Sequence, residues 1–317
     1  MRVPDHLRDR RDLARRATRR RRLLVVGGLV AITVAAVLVL TGAFSHAGSG
    51  EATRSAGTPD QPRAVARTTE TPATPATTPT PASGTYRGPI PILMYHVVTA
   101  PKAGETYPEL WTPRERFAAT MDLLAQRGYR GVTIEQVRRT WDGGPGLPAK
   151  PIVVTFDDGY LSQYTHAKPV LRRLGWPGVL YLEGKNLGPG GLTTRQVKAM
   201  VAAGWEVGAH TLTHPDLTTV DDARLTQELE GSRALLRERL GVPVTAFCYP
   251  AGRNDARVRA AVKAAGFTTA TTVEPGIASP KDDPFALPRI RVNGDDGPQT
   301  VLDRVRTGAG ATAAYGG

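Results

Sequence analysis

A single cysteine, Cys248, in a chain of 317 residues excludes an internal disulfide framework and any zinc ribbon built on cysteines. A metal bound here must therefore be held by histidines and carboxylates. No glycine fingerprint for a dinucleotide or a phosphate follows the first strand candidate. No period of 20 to 50 residues marks a repeat architecture. Only six histidines are present and none lies after His214. Histidine chemistry is therefore confined to His6, His46, His96, His166, His210 and His214. A hydrophobic content of 40% argues against a wholly disordered chain.

The formal net charge of +12 is concentrated at the N-terminus. Ten arginines stand among residues 1–22 against Asp5, Asp9 and Asp12, while the remainder is only mildly basic. The charge describes a tail and gives no reason to expect a nucleic-acid partner. Residues 23–44 follow without one charged side chain, long enough as a helix to cross a hydrocarbon core of ~30 Å. Dense arginine on one flank predicts a cytoplasmic tail (1–22), a transmembrane signal-anchor (23–44) and an exported remainder. Cleavage at Ser45-His46-Ala47, which would release a secreted protein, is the alternative. Residues 45–88 are rich in Thr, Pro, Ala and Ser and poor in large apolar groups, the composition of a disordered, extended stalk. Residues 89–317 are left as one folded domain.

Within that domain, short apolar runs alternate with amphipathic stretches. Strands are expected at Pro91 to Tyr95, Ile152 to Phe156, Val179 to Leu182, Glu206 to Ala209, Val244 to Cys248, Phe267 to Thr271 and Leu287 to Val292. Thr112-Pro113-Arg114-Glu115 reads as a capping box opening a helix that Gly128 stops, with Phe117, Met121 and Leu124 on its apolar face. Leu225, Leu229, Leu236 and Leu240 form a second stripe closed by Gly241. Repeated strand–helix alternation implies an α/β parallel sheet covered by helices, either open and doubly wound or closed as a barrel.

Two features carry chemistry. The apolar run Val153 to Phe156 ends in Asp157-Asp158-Gly159, and carboxylates at a strand's C-terminal end face the mouth where α/β sites form. The plainer reading is a turn in which Asp158 caps the next helix. The second feature is His210-Thr211-Leu212-Thr213-His214, directly after a strand. Two imidazoles four residues apart suit a divalent metal, and with no Glu between them the general base has to come from Asp157 or Asp158. Two imidazoles and one carboxylate leave a zinc position open, as in a catalytic site.

Thr155-Phe156-Asp157-Asp158-Gly159 and His210 to His214, in this order and about fifty residues apart, resemble the first two motifs of the polysaccharide deacetylase family, also called carbohydrate esterase family 4 or the NodB homology domain. The resemblance implies a distorted (β/α) barrel that removes acetyl groups from N-acetylated glycans. It implies Asp157 as base and Asp158, His210 and His214 as ligands of zinc or another divalent transition metal. Tyr249, Pro250 and Ala251 match a third motif imperfectly, with Cys248 where the family carries Arg and Ala251 where it carries Tyr. The Ala251 N–H remains a candidate for the oxyanion, and Arg289 is a candidate substitute for the missing Arg.

The family's C-terminal His is absent. His96, closing the first strand, is then the candidate general acid, and His166 reads as a packed or solvated residue. Pro91 to His96 with Asp157 to Tyr160 is similar to the branch acting on poly-β-1,6-linked N-acetylglucosamine. The expected partner is an N-acetylated polymer of the cell envelope. A non-catalytic glycan binder and a hydrolase of another amide or acyl group are the alternatives.

Overall fold

Parallel strands buried on both faces need continuous apolar runs, and those runs become the strands. The computed structural model describes residues 84–309. In chain order these are β1 (Ile92–Tyr95), α1 (Arg114–Gln126), β2 (Arg130–Gly131), α2 (Ile134–Trp141), β3 (Pro151–Asp158), α3 (Lys168–Arg173), β4 (Val179–Leu182), α4 (Thr194–Val201), β5 (Glu206–Ala209), α5 (Asp222–Leu240), β6 (Ala246–Cys248), α6 (Ala256–Ala264), β7 (Thr269–Pro275), β8 (Leu287–Arg291) and α7 (Pro298–Thr307).

The choice between open sheet and barrel falls to the barrel. β1 pairs in parallel with β3, Ile92 opposite Val153 and Tyr95 opposite Phe156, and also with β8, Leu93 opposite Ile290. The ring β1–β3–β4–β5–β6–β7–β8 is thereby closed, and the two-residue β2 pairs with the start of β3 outside it.

Side chains alternate along each strand between two apolar clusters. Ile92, Val153, Val179, Tyr181, Ala246, Cys248 and Leu287 fill the lumen. Leu93, Tyr95, Val154, Phe156, Leu180, Leu182, Phe247 and Ile290 meet the helices. Phe117 of α1 packs edge-on to Tyr95 with ring centroids 5.1 Å apart, and Phe156 stacks on Trp205 at 5.2 Å. Leu225, Leu229, Leu236 and Leu240 are buried as their spacing predicts, and Gly241 closes α5 at φ 72°.

Two expectations need correction. Thr112 does not cap α1: Pro113 itself is the N-cap, so the threonine stands one residue outside and donates its N–H to Val97 O at 2.8 Å instead. Capping boxes form at Thr133/Gln136 and Thr193/Gln196. The linker assigned to 45–88 gives up its last residues, since Gly84 and Tyr86 bridge to Gly146 and Leu147, two antiparallel pairings outside the ring. Among the described residues no helix is long and apolar enough to cross a membrane. The tail at 1–22, the anchor at 23–44, and His6 and His46 lie outside the described residues.

Candidate active site and metal centre

The alternation of side chains decides which residues meet. Asp157 continues the inward set of Val153 and Thr155 on β3, Arg289 that of Leu287 on β8, and Cys248 that of Ala246 on β6. His96 follows β1, and His210 follows β5. All five therefore gather at one rim, below a cavity of about 620 Å³.

Asp157 sits 2% exposed, and the fully buried Arg289 grips both its oxygens, Nη1 to Oδ1 and Nη2 to Oδ2 at 2.8 Å each. The guanidinium is itself fixed by Thr272 O at 2.8 Å and Thr155 Oγ1 at 3.0 Å. Burial alone raises a carboxyl, yet the paired Arg289 holds Asp157 well below the usual carboxylate range. Cys248 explains how the pair fits: its Sγ lies 3.1 Å from Arg289 Nη2 and 3.6 Å from Asp157 Oδ2, and an arginine at 248 would compete for that space. His96 Nε2 stands 3.8 Å from Asp157 Oδ2. Burial pulls the His96 imidazole below its usual pKa, an effect that Asp157 and Asp158 partly offset.

Asp158 turns away from its neighbour because its backbone is left-handed, φ 73°. Gly159 continues the turn at φ 93°, where a Cβ would come within 2.9 Å of Leu182. This places Asp158 Oδ1 3.4 Å from His210 Nε2 and 3.8 Å from His214 Nε2. Thr211 and His214 are left-handed too, φ 67° and 59°. The His-x3-His segment is thus a strained turn and not a turn of helix. His210 Nδ1–H donates to Cys248 O at 2.7 Å, which turns Nε2 toward Asp158 and the cavity. Burial raises the Asp158 carboxyl, but the His210 hydrogen bond holds it low. Burial and the neighbouring His210 take His214 down to about 4, keeping it a neutral imidazole.

The three donor atoms fit a small divalent ion. Ligands at ~2.0–2.1 Å in a tetrahedron stand roughly 3.3 Å apart, close to the two separations from Asp158, and all three donor atoms lie within 4.8 Å of one another. Asp157, His210 and Cys248 also place donor atoms within 4.8 Å of one another, but Arg289 already occupies both Asp157 oxygens.

The third-motif segment forms a 3₁₀ turn, Pro250–Gly252, with Ala251 left-handed at φ 51° and on the cavity wall. Tyr249 and Pro250 line the same cavity, and the Tyr249 hydroxyl donates to Phe285 O at 2.8 Å. His166 donates Nδ1–H to Val98 O at 2.6 Å, away from Asp158, His210 and His214.

Sequence reasoning missed Glu183 and Glu228. Glu183, 3% exposed, follows β4 at the same rim and pairs with Lys185 Nζ at 2.6 Å and Asn186 Nδ2 at 2.9 Å, and Asn186 also donates to Asp158 O at 3.1 Å. Its position just after a strand candidate was the available signal. Glu228, fully buried, accepts the N–H groups of Leu212 at 2.7 Å and Thr213 at 2.9 Å and so pins the turn between the histidines. A carboxylate inside the leucine stripe of α5 was the clue.

Residues 145–270 match the family model described as polysaccharide deacetylase. The Bacillus subtilis (strain 168) protein YxkH, which carries a polysaccharide deacetylase name, is 31% identical over 207 residues, 64% of this chain and 71% of that one. The poly-beta-1,6-N-acetyl-D-glucosamine N-deacetylase of Escherichia coli (strain K12) is 47% identical over 66 residues, 21% of this chain and only 9% of the larger protein. Streptococcus pyogenes deacetylase PplD, solved in complex with acetate, superposes with a TM-score of 0.64 at 26% identity, covering 68% of this chain and 97% of that one.

Proposed function

Since the chain belongs to the polysaccharide deacetylase family, we propose that it is a metal-dependent hydrolase removing N-acetyl groups from an N-acetylglucosamine-containing polysaccharide of the envelope or the extracellular space. The observation that carries this reading is the convergence of Asp158, His210 and His214 on one point beside the Arg289-paired Asp157. The short stretch shared with the Escherichia coli enzyme favours a β-1,6-linked N-acetylglucosamine polymer.

Asp158, His210 and His214 would hold the metal, with zinc the choice that suits two imidazoles and one carboxylate. A bound zinc ion supplies Lewis acidity toward the acetyl oxygen and acidifies a water molecule. Asp157, kept ionised by Arg289, accepts the proton of the water that attacks the acetyl carbonyl. The Ala251 N–H, on the cavity wall, donates to the oxygen on which charge develops. His96, 3.8 Å from Asp157, delivers a proton to the sugar nitrogen as the C–N bond breaks, and its burial makes the protonated imidazole a readier donor. The products are acetate and a free amino sugar.

The apolar segment 23–44 and the basic tail before it are proposed to tether this domain outside the membrane, within reach of its polymer. Recovery of the full chain in the soluble fraction after cell lysis would oppose the tether.

The deciding experiment measures acetate release from defined N-acetylglucosamine oligomers by zinc-loaded protein, with Asp157→Asn as control. Loss of activity on chelation and in the variant is expected. Glycan binding without acetate release, zinc present, would instead favour a binding protein, and cleavage confined to small amides or esters would favour another acyl substrate.

A further inference from the structure

Behind the proposed acid and base, one widened turn holds both main chains. Pro169, in the first turn of α3, has no N–H to offer, and the backbone just before it opens into a π-helical turn, Gln163–Ala167. Three side chains of residues 162–166 reach the strand ends. Gln163 Nε2 donates to His96 O at 2.9 Å and to Asp157 O at 2.6 Å. Ser162 Oγ accepts Val98 N–H at 2.9 Å, and His166 Nδ1–H donates to Val98 O at 2.6 Å.

Gln163 is 0% exposed, and its Oε1 has no hydrogen-bond partner among the described residues. Leaving a buried amide oxygen unpaired costs free energy, and flipping the amide would aim that oxygen at two carbonyls. The amide is tolerated in this orientation because it ties together two chain segments that no ladder bond joins at this level, as the β1–β3 register ends at Tyr95 and Phe156. The tie falls on the next residue of each strand, the two residues to which the proposed acid and base roles fall.

We propose that Gln163, assisted by Ser162 and His166, is the positioning residue that sets the separation of His96 from Asp157, and with it the delivery of the proton to the leaving amine. The proposal rests on the deacetylase reading above and extends it to residues that touch neither substrate nor metal ligand side chains.

The test uses the zinc-loaded full chain carrying Gln163→Met, which keeps the volume and removes both donated bonds. Two substrates are compared: an N-acetylglucosamine oligomer, whose amine needs a proton to leave, and 4-nitrophenyl acetate, whose phenolate leaves without one. A misplaced donor is expected to lower kcat on the glycan by roughly tenfold or more with KM within about twofold, and to leave the ester rate within about twofold of wild type. Equal losses on both substrates, or none on either, overturn the proposal. Ser162→Ala removes one acceptor with little risk to folding; it should show the same split at smaller size, and if Gln163→Met does not fold, absence of that split is the overturning result. A crystal structure of the folded variant tests the clamp independently of turnover. His96 Nε2 is expected beyond the 3.8 Å seen here, and an unchanged separation sinks the clamp. A wild-type protein inert toward every acetamide would remove the deacetylase reading instead, with the crystallographic comparison still deciding the clamp.

Discussion

At the scale of single residues, the Arg289–Asp157 pair is a buried ion pair with every hydrogen-bonding site on the arginine side directed at a partner. Such a pair is worth little against an apolar replacement of both partners, but removing one partner alone strands a charge. Arg289→Met should therefore lower stability by about 3–5 kcal/mol in denaturant titration. It should also lower deacetylation about a hundredfold or more, with zinc stoichiometry unchanged, because Arg289 touches none of the three ligand side chains. Retained turnover in this variant would show that Asp157 needs no orienting partner. The rim positions of Asp157, Asp158 and His210 were legible in the sequence because each ends or directly follows an apolar run, and His214 because it stands four residues beyond His210. Arg289 was legible only as a substitute for the arginine missing from the third motif; its bonds to Asp157 span 132 residues and depend on barrel closure, which brings β8 next to β1.

At the scale of elements, turns do what the strands cannot. The segment from His210 to His214 holds its shape against two left-handed residues because Glu228 of α5 accepts its N–H groups from below. Glu228→Ala should weaken zinc binding by about 10–100-fold in chelator competition while the fold persists, the usual consequence of losing support behind a ligand. Undiminished affinity would assign the shape of the turn to the backbone alone.

A second carboxylate, Glu206 at the start of β5, accepts the N–H of Glu135 at the N-terminus of α2 at 3.0 Å. Burial pushes its pKa up to about 7, above the 4.5 usual for the residue, so the folded state holds a proton that the unfolded chain has lost. That contribution is complete below about pH 4.5 and disappears as pH rises through 7. Glu206→Gln should remove on the order of 1–2 kcal/mol of this pH-dependent loss, seen as a flatter Tm profile between pH 5 and 8. A parallel profile would place the Glu206 carboxyl in its ordinary range. Helix stripes and strand cores were readable by periodicity. The strand ends, the two-residue β2 and the π-turn were not, because each depends on partners from elsewhere in the fold or on one missing N–H.

At the scale of the whole molecule, stability and chemistry are spatially divided. The aromatic and leucine core lies between barrel and helices, and the site lies at the rim. Met121, fully buried on α1, faces the first and not the second. Met121→Ala should cost about 2–5 kcal/mol while zinc content and turnover per folded molecule stay at wild-type values. A fall in turnover at full occupancy would mean that the helix layer tunes the rim. The family, and through it a barrel, were visible from two motifs; alternation of strands and helices by itself suits an open sheet equally well, and the pairing of β1 with both β3 and β8 distinguishes the two.

That ring has a consequence for biosynthesis. β1 waits for a neighbour whose residues are translated nearly two hundred positions later, and the guanidinium that clasps Asp157 arrives on that same final stave. A nascent chain released before Leu287 would carry Asp158, His210 and His214 and still lack both the closing seam and the counter-charge of Asp157. Incomplete products should thus be inert from the start and never partly active.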